Sequence, residues 1–428
     1  MTSWPERTTR PDGPAWPGGG SGGPHRGDRP YGPAAADAHG GHAAPDLPGE
    51  RLEVRVVQSA AELAGLADEL VRLEEVAAEP NPFFSRAVLG RALEHLGADG
   101  ARVALVLGTP RATDSGEPVV AGLFPIAGTG ARTRIWLHRY AFTGTPLIRA
   151  DALGRTWRAF LEWSLDARGG RLLQLPQLNA DGPVFRALVG ELLRSERRTW
   201  VQDQHLRALF VRREDGDGAA YRLEAQTRKV RRNLRRARRL LAARTELGLE
   251  AGPIASADVD RFAAEFLELE ARGWKGRRGT ALGSSGSDAR WFRGALADLA
   301  RDGRALGAAL RLAGRPAAMG VYFTDPSGSH GSYFKTAYDE AHAEHSVGAL
   351  LQQELLDHLH RPGAPSTIDS CAEPGHPMIE RIWGERRLVQ TLWVAGRGVR
   401  SRALLGALPA ARWVRSGLKP RGRGGRTR

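Results

Sequence analysis

The sequence predicts an α+β fold made of two copies of one unit. Residues 52–395 alternate apolar runs at helical spacing with short β-forming runs, which is the pattern of helices packed on mixed sheets. Val103–Gly108 aligns with Ala309–Gly314 at an offset of 206 residues, and two predicted helices precede each run at a similar offset. An internal duplication is the most economical interpretation of that order.

The first copy, residues 49–215, is predicted element by element from local patterns. Leu52–Val57 has strand character, and a helix over residues 81–96 begins at Asn81 and Pro82, which both favour a helix start. The other predicted elements are a helix at Ala60–Glu75, a hairpin at residues 103–108 and 118–126, helices at Ala152–Ala167 and Val184–Leu193, and strands at residues 172–178 and His205–Val211.

The second copy, residues 216–398, repeats this order after an arginine-rich helix. Its predicted helices are Val259–Arg272, Ala289–Ala300, Val347–His360 and Met378–Trp383. Its predicted strands are Arg304–Ala313, Pro316–Thr324, Gly331–Ala337, Ser366–Ser370 and Arg387–Ala395. Residues 1–48, rich in Gly, Pro, Ala and His, are expected to be disordered, and residues 399–428 to form a basic helix and tail.

The excess positive charge lies in two segments. The formal net charge is +14, and Arg228–Arg239 carries eight basic residues while Arg412–Arg428 carries seven, with no acid in either. The rest of the chain is close to neutral, which excludes a uniformly basic nucleic-acid-binding protein. Both segments are expected to contact a polyanion or an anionic membrane surface, or else to be a solvated helix and a solubilising tail. The first has an apolar stripe of Val230, Leu234, Ala237 and Leu241.

Other features of the composition favour a cytoplasmic protein. Cys371 is the single cysteine, so no intrachain disulfide can form, and the first residues lack the basic-then-apolar order of a signal peptide. No apolar run approaches ~18 residues, so no transmembrane segment is expected. No metal site is expected, because the scattered histidines near the start have no ligand-type neighbours at metal-binding spacing. The predicted location is the cytoplasm, with peripheral contact at the inner membrane face through the basic segments.

Residues 329–353 contain the most informative local pattern. A strand with Tyr333 and Lys335 is followed by a polar loop, and Gly348 and Ala349 then open a helix with apolar periodicity. The N-terminus of a helix presents unpaired N–H groups at the positive end of the helix dipole. This pattern therefore suits the diphosphate group of a bound ligand.

Five segments carry a family resemblance. They are RKVRRNLRRARRLL (228–241), ELEARGWKGRRGTAL (268–282), LGAALRLAGRPAAMGVYF (306–323), YFKTAYDEAHAEHSVGALL (333–351) and IDSCAEPGHPMIERIWGERR (368–387). The second copy resembles the GNAT-fold acetyltransferase-like domain of cellulose-biosynthesis acetyltransferases, and the chain resembles FemAB-type aminoacyltransferases more distantly. Because the latter are tandem GNAT folds, the resemblance implies a duplicated GNAT-like fold over roughly residues 52–394.

The resemblance implies acyl transfer from a thioester. Acyl-CoA would lie in an opening between two central strands, with its pyrophosphate on backbone N–H groups of the following helix. The residues implied in donor binding are Tyr333, Lys335, His345, Ser346, Gly348 and Ala349. The usual loop ends in a small residue where this chain has Leu350, and this departure leaves room for another acyl donor.

Acid–base residues are expected where the strands end, because neighbouring strand ends can share one cleft. Asp339 is equally suited to a catalytic role and to a turn or helix cap. The loop around Trp274 suits a substrate lid or a phosphate contact, and Trp274 suits a plain core position as well. The catalytic candidates are Asp369, Tyr338 and Asp339, and the substrate-binding candidates are Trp274, Lys275 and Glu373.

The implied reaction is N-acyl transfer from acyl-CoA, first of all acetyl-CoA, to an amine of a sugar, a polysaccharide precursor or a small molecule. Two alternatives stay open. One is a FemAB-like transfer that uses aminoacyl-tRNA, and the other is a non-catalytic module that kept the fold and binds a polyanion. The first copy lacks a comparable loop and helix start, so it is interpreted as a degenerate copy that shapes the acceptor groove.

Overall fold

The computed structural model describes residues 52–97, 100–108, 119–129, 131–167, 169, 171–213 and 217–417. The predicted disorder of residues 1–48 and the basic tail from residue 418 onward lie outside these ranges. The described residues form one mixed sheet with helices on both faces, as the predicted α+β fold requires.

The described strands all belong to this sheet. They are β1 (Leu52–Val57), β2 (Arg102–Gly108), β3 (Val119–Thr129), β4 (Arg132–Ile135), β5 (Leu147–Ile148), β6 (Leu172–Asn179), β7 (Thr199–Val211), β8 (Leu247–Pro253), β9 (Ala305–Leu312), β10 (Arg315–Thr324), β11 (His330–Tyr338), β12 (Thr367–Asp369) and β13 (Glu385–Ala395). The predicted strands are confirmed, and the structure adds β4, β5 and β8.

The helices pack on the two faces of the sheet. They are α1 (Ala60–Ala64), α2 (Ala67–Val76), α3 (Arg86–His95), α4 (Leu153–Leu161), α5 (Pro183–Arg194), α6 (Gly218–Ala225), α7 (Arg228–Ala242), α8 (Val259–Arg272), α9 (Trp274–Arg277), α10 (Gly286–Arg301), α11 (Val347–Leu359) and α12 (Val399–Gly417). Within the described residues, none of these helices has the length and apolar character needed to cross a bilayer.

Three predicted helices differ from the structure for local reasons. The first predicted helix is split into α1 and α2, because α1 ends at Gly65, whose backbone N–H caps it. The second starts at Ser85, which accepts a hydrogen bond from the Val88 N–H, because Pro82–Phe84 forms a separate 3-10 turn. Between Pro377 and Gly384 the chain is too short for a helix and forms the 3-10 turn Ile379–Arg381.

The order of strands confirms the duplication. The sheet runs β1-β2-β3-β4-β6-β13-β7-β12-β11-β10-β9-β8, so the two copies mirror each other about the central β13–β7 pair. In each copy one parallel pair, β4–β6 or β11–β12, interrupts otherwise antiparallel pairing. The last strands are exchanged, since β7 of the first copy pairs with β12 and β13 of the second pairs with β6. The two copies therefore share one sheet.

The hydrophobic core continues across the seam between the copies. On one face, α3 of the first copy packs against α10 of the second, and the indole N–H of Trp291 donates to the Val88 carbonyl. Arg91 pairs with Asp298 across the same contact at 2.8 Å. On the other face, α11 and α7 cover the second copy, with Leu234 and Leu350 buried. This shared core fixes the position of β11, where the predicted site lies.

Candidate active site

The parallel strands β11 and β12 separate after a short pairing. They pair only from His330 with Thr367 to Ser332 with Asp369, and β11 then continues alone to Tyr338. Beyond Asp369 the chain turns towards β7, because the Ser370 N–H donates to the Ala208 carbonyl at 3.1 Å. The result is an opening beside the second half of β11.

Asp369 and Cys371 form the turn that ends β12. The Cys371 N–H donates to Asp369 Oδ1 at 2.8 Å, and Cys371 adopts a left-handed backbone with φ of 53°. Burial, reinforced by the nearby Asp369 carboxylate, raises the pKa of the Cys371 thiol. A protonated, buried thiol is a poor nucleophile, so this cysteine has a structural position.

A β-bulge lies in β11 beside the opening. Val321 of β10 pairs with Lys335 and Tyr322 with Tyr333, so Phe334 is an extra residue without a partner in the β10 register. Both Phe334 and Lys335 consequently reach the face that carries α8 and α10. A bulge frees a backbone polar group from the strand ladder, and such a group can bind a developing oxyanion.

The helix that follows β11 has an uncapped N-terminus. Ser346 holds a left-handed conformation with φ of 51°, and no side chain caps the first turn of α11. The N–H groups of Val347, Gly348 and Ala349 therefore lack the intrahelical partners that later residues have. Gly348 and Ala349 are themselves buried, and a Cβ at Gly348 would be in ordinary contact with Met378 and Tyr338.

Two predicted lysines share one buried carboxylate. Lys335 Nζ lies 3.0 Å and Lys275 Nζ 3.3 Å from Oε1 of Glu270, which is 2% exposed. Lys275 also donates to the Thr336 carbonyl on β11 at 3.0 Å. Burial, together with the nearby Lys335, lowers the pKa of Lys275 to about 8. The pair of ammonium groups leaves a net positive charge beside the bulge.

The end of β11 brings Tyr338 to Trp274. The Trp274 N–H donates to the Glu340 carboxylate at 2.6 Å, which ties α9 to the loop after β11. Burial raises the pKa of Tyr338, so its phenol keeps its proton at neutral pH. Asp339 accepts a hydrogen bond from the Ala341 N–H at 2.9 Å, the turn role that its position suggested.

The remaining predicted residues lie elsewhere. Tyr333 is on the opposite face of the sheet, stacked on Tyr322 at 4.6 Å between ring centroids. His345 is buried, with Nε2 3.2 Å from Glu344 Oε1. Glu373 is exposed in the loop after β12. The structure thus places Lys275 and Lys335 on the face that carries α8, where they share Glu270. Tyr338 and Gly348 lie on the opposite face with Tyr333, where α11 packs.

Asp369 belongs to a buried network of charges at the seam. Its carboxylate lies 3.3 Å from Arg387 Nη1 and 3.7 Å from Arg207 Nη1. Arg387 on β13 also lies 3.9 Å from Asp181 of the first copy. Because Arg207 and Arg387 are register partners on β7 and β13, this network joins the exchanged strands.

In the first copy, the chain itself closes the corresponding opening. The Gly144 N–H donates to the Gln177 carbonyl at 2.9 Å, and the Asn179 N–H donates to Thr145 Oγ1 at 3.0 Å. A Cβ at Gly144 would lie 2.0 Å from the Pro176 carbonyl oxygen, so the close approach requires glycine. Residues 143–145 thus occupy the edge of β6 that a donor would need.

Comparison with known protein families identifies the class of enzyme. Residues 228–374 match the model of the acetyltransferase (GNAT) domain family. The matched residues, 228–374, correspond to a GNAT acetyltransferase domain. With the mirrored strand order, the fold is a tandem GNAT-like fold, and the protein is an acyltransferase. No curated protein sequence matches the chain.

Three solved structures resemble the chain at low identity. The C-terminal domain of a putative lysylphosphatidylglycerol synthetase from Agrobacterium fabrum is 14% identical, with a TM-score of 0.49 over 81% of this chain and 96% of that one. A conserved protein of unknown function from Bacteroides thetaiotaomicron is 10% identical, with a TM-score of 0.49 over 80% and 99%. A tandem GNAT protein from the clavulanic acid biosynthesis pathway is 17% identical, with a TM-score of 0.41 over 81% and 99%.

Sequence reasoning missed Glu270, although a signal for it exists. Val259, Ala263, Phe266 and Glu270 follow at spacings of four, three and four, so this carboxylate falls on the buried stripe of α8. The bulge at Phe334 had no such signal, because it depends on the pairing of two strands. Within the described residues, no group of three His, Cys, Asp or Glu side chains is placed to hold a metal ion.

Proposed function

We propose that the protein is an N-acyltransferase that moves an acyl group, in the first instance acetyl, from acyl-CoA to an amine. The acceptor amine would belong to a sugar, a polysaccharide precursor or a small molecule. The observation that carries this proposal is the bulge at Phe334, which lies where β11 and β12 separate, on the strand that leads to the uncapped N-terminus of α11. In this proposal the bulge would face the thioester carbonyl and the helix N-terminus would hold the pyrophosphate of the donor.

The chemistry needs three groups, and the opening offers candidates for them. The acceptor nitrogen attacks the thioester carbonyl carbon, the carbon–sulfur bond breaks, and the thiolate takes up a proton while the new amide loses one. A backbone group at the bulge and the net charge of Lys275 and Lys335 support a role in stabilising the oxyanion. Tyr338, which keeps its proton at neutral pH, is the candidate acid for the thiolate.

The acceptor side is proposed to lie along the loops that border the opening. Trp274 on α9 is partly exposed, and Glu373 is exposed in the loop after β12. Asp369 ends β12 and is proposed to shape the start of the opening through the turn at Cys371. We also propose a cytoplasmic location, with only peripheral contact at the inner membrane face.

The donor site can be tested at Gly348. Asp at this position places a carboxylate at the N–H groups proposed to hold the pyrophosphate, so CoA binding measured by calorimetry should be lost. Gly348→Asn has nearly the same size without the charge, and Gly348→Ala adds only a Cβ that meets ordinary contacts, so both should bind CoA more tightly than Gly348→Asp does.

The melting temperature of each variant shows whether it is folded. CoA affinity in a folded Gly348→Asp protein equal to that of wild type would refute the proposed donor site. Binding of aminoacyl-tRNA in place of CoA by the wild-type protein would instead favour the FemAB-like alternative.

A further inference from the structure

Helix α7 has a cationic face that the acyltransferase site does not use. Its 15 residues contain seven arginines, one lysine and no acid. Leu234 and Leu241 are each 3% exposed and pack against the second copy, so the apolar stripe of the helix points inward. The charged side chains are consequently left on the outer surface.

Among the described residues, two of these cations connect α7 to other elements of the fold. Arg231 Nη1 donates to the carbonyls of Arg222, Leu223 and Gln226 and so caps the end of α6. Arg238 pairs with Glu354 of α11 at 3.0 Å. The others have no carboxylate at ion-pair distance among the described residues, and all are exposed: Arg228, Lys229, Arg232, Arg235, Arg236 and Arg239.

The position of these charges is unfavourable for the helix itself. Thr227 caps the helix by accepting from the Val230 N–H, and Arg228 and Lys229 then occupy the first turn, with no acid there. Cations at the N-terminus of a helix oppose the positive end of its dipole. Folding therefore gains nothing from Arg228 and Lys229, and an external anion would relieve this repulsion.

The cations form a groove and a row. Arg228, Lys229, Arg231, Arg232 and Arg235 line a surface groove of about 480 Å³. Arg228, Arg232, Arg235 and Arg239 follow at spacings of four, three and four residues, which places successive residues roughly 4.5 to 6 Å apart along the helix axis. Such a row can contact several phosphates in succession.

We infer that α7 binds the phosphodiester backbone of a nucleic acid strand. A single free phosphate would satisfy only a few of these cations. A membrane surface is less suited, because an interfacial helix inserts its apolar face, and that face of α7 is already buried in the protein. A strand of phosphates instead matches both the concave shape and the linear spacing.

The test uses the full chain and a short fluorescent RNA, single-stranded and as a duplex, with binding followed by anisotropy over a range of salt concentrations. The variant Arg228→Gln/Lys229→Gln/Arg232→Gln removes three exposed cations. Its affinity for single-stranded RNA should fall about tenfold or more, and the slope of log K against log salt should become shallower by about 2. At low salt it should melt no lower than wild type, because Arg228 and Lys229 oppose the helix dipole and Arg232 has no carboxylate at ion-pair distance among the described residues.

A matched control removes equal charge elsewhere. Arg55→Gln/Arg72→Gln/Arg155→Gln takes three exposed cations from the first copy and should leave RNA binding unchanged. Equal loss in both triple variants, no loss in either, or unfolding of the α7 variant would each overturn the inference. Binding of wild type to phosphatidylglycerol vesicles but not to RNA would overturn it in favour of a membrane surface.

Discussion

The environment of Asp369 shows how one carboxylate can shape the opening without touching the acceptor. Its two oxygens face Arg387, Arg207 and the Cys371 N–H, and the residue is 5% exposed. Removing one partner of a buried ion pair leaves the other charge uncompensated, which costs more than the pair contributes. The geometry therefore gives Asp369 a role in positioning the end of β12.

Asp369→Asn should destabilise the protein. The amide oxygen can still accept from the Cys371 N–H, but the carboxylate charge that faces two guanidinium groups is lost. Asp181 then remains as a counter-charge for Arg387 but not for Arg207. The free energy of unfolding, measured in denaturant, should fall by about 2 to 3 kcal/mol. Glu373→Gln, at an exposed position nearby, should change it little. An unchanged stability with lost turnover would show instead that Asp369 acts as a catalytic base.

At the scale of residues, the sequence could predict position better than role. Lys275 and Lys335 share the Glu270 carboxylate on one face of β11, and the Trp274 N–H bonds to Glu340 in the loop after this strand. Tyr333 and Tyr338 lie on the opposite face of β11, because the bulge at Phe334 and the alternation of the strand turn them away from Lys335. The partners of Asp369 come from the exchanged strands, which no local pattern could indicate.

At the scale of elements, the two parallel strand pairs differ in whether an opening remains beside them. β11 and β12 leave an opening, whereas residues 143–145 close the equivalent place beside β6. A hairpin, a helix start and an arginine-rich helix are local patterns, so the sequence predicted them well. The closure of the first copy depends on a loop meeting a strand at Gly144, and a long-range contact of this kind leaves no period in the sequence.

Closure of the first copy has a measurable consequence at Gly144. Gly144→Ala forces a Cβ against the Pro176 carbonyl, so it should lower the free energy of unfolding by about 1 to 3 kcal/mol. Gly190→Ala on α5 meets nothing within 4 Å and should raise it by up to about 1 kcal/mol, since alanine favours a helix. Equal stabilities of the two variants, measured by denaturant unfolding, would contradict the closure.

At the scale of the whole molecule, the exchanged strands and the shared core join the two copies. β13–β7 pairing, the packing of α3 on α10, and the Arg387–Asp181 contact all cross the seam. Neither copy has its full sheet without a strand of the other. We therefore expect the described part of the chain to unfold as one cooperative unit, with charges at the seam acting on its total stability.

Glu79 makes the stability of the seam depend on pH. It accepts a hydrogen bond from the Val184 N–H at the start of α5 and is 7% exposed. Burial raises its pKa from 4.5 to about 7, against the lowering effect of Arg387. The folded state therefore holds a proton that the unfolded chain releases above its own lower pKa. The contribution of Glu79 to the free energy of unfolding is therefore fully present at low pH. It is lost as the pH rises from the pKa of Glu79 in the unfolded chain to its higher pKa in the folded protein.

Glu79→Gln should remove this pH dependence, because glutamine resembles the protonated acid. Between about pH 5 and about pH 8, the wild type should lose on the order of 3 kcal/mol of unfolding free energy from this group, and the variant should lose correspondingly less. Glu75→Gln, an exposed carboxylate close by in α2, is the matched control and should follow the wild type. Denaturant unfolding at both pH values measures the difference. Parallel pH profiles of the Glu79→Gln and wild-type proteins would mean that Glu79 stays ionised at the seam, held so by Arg387.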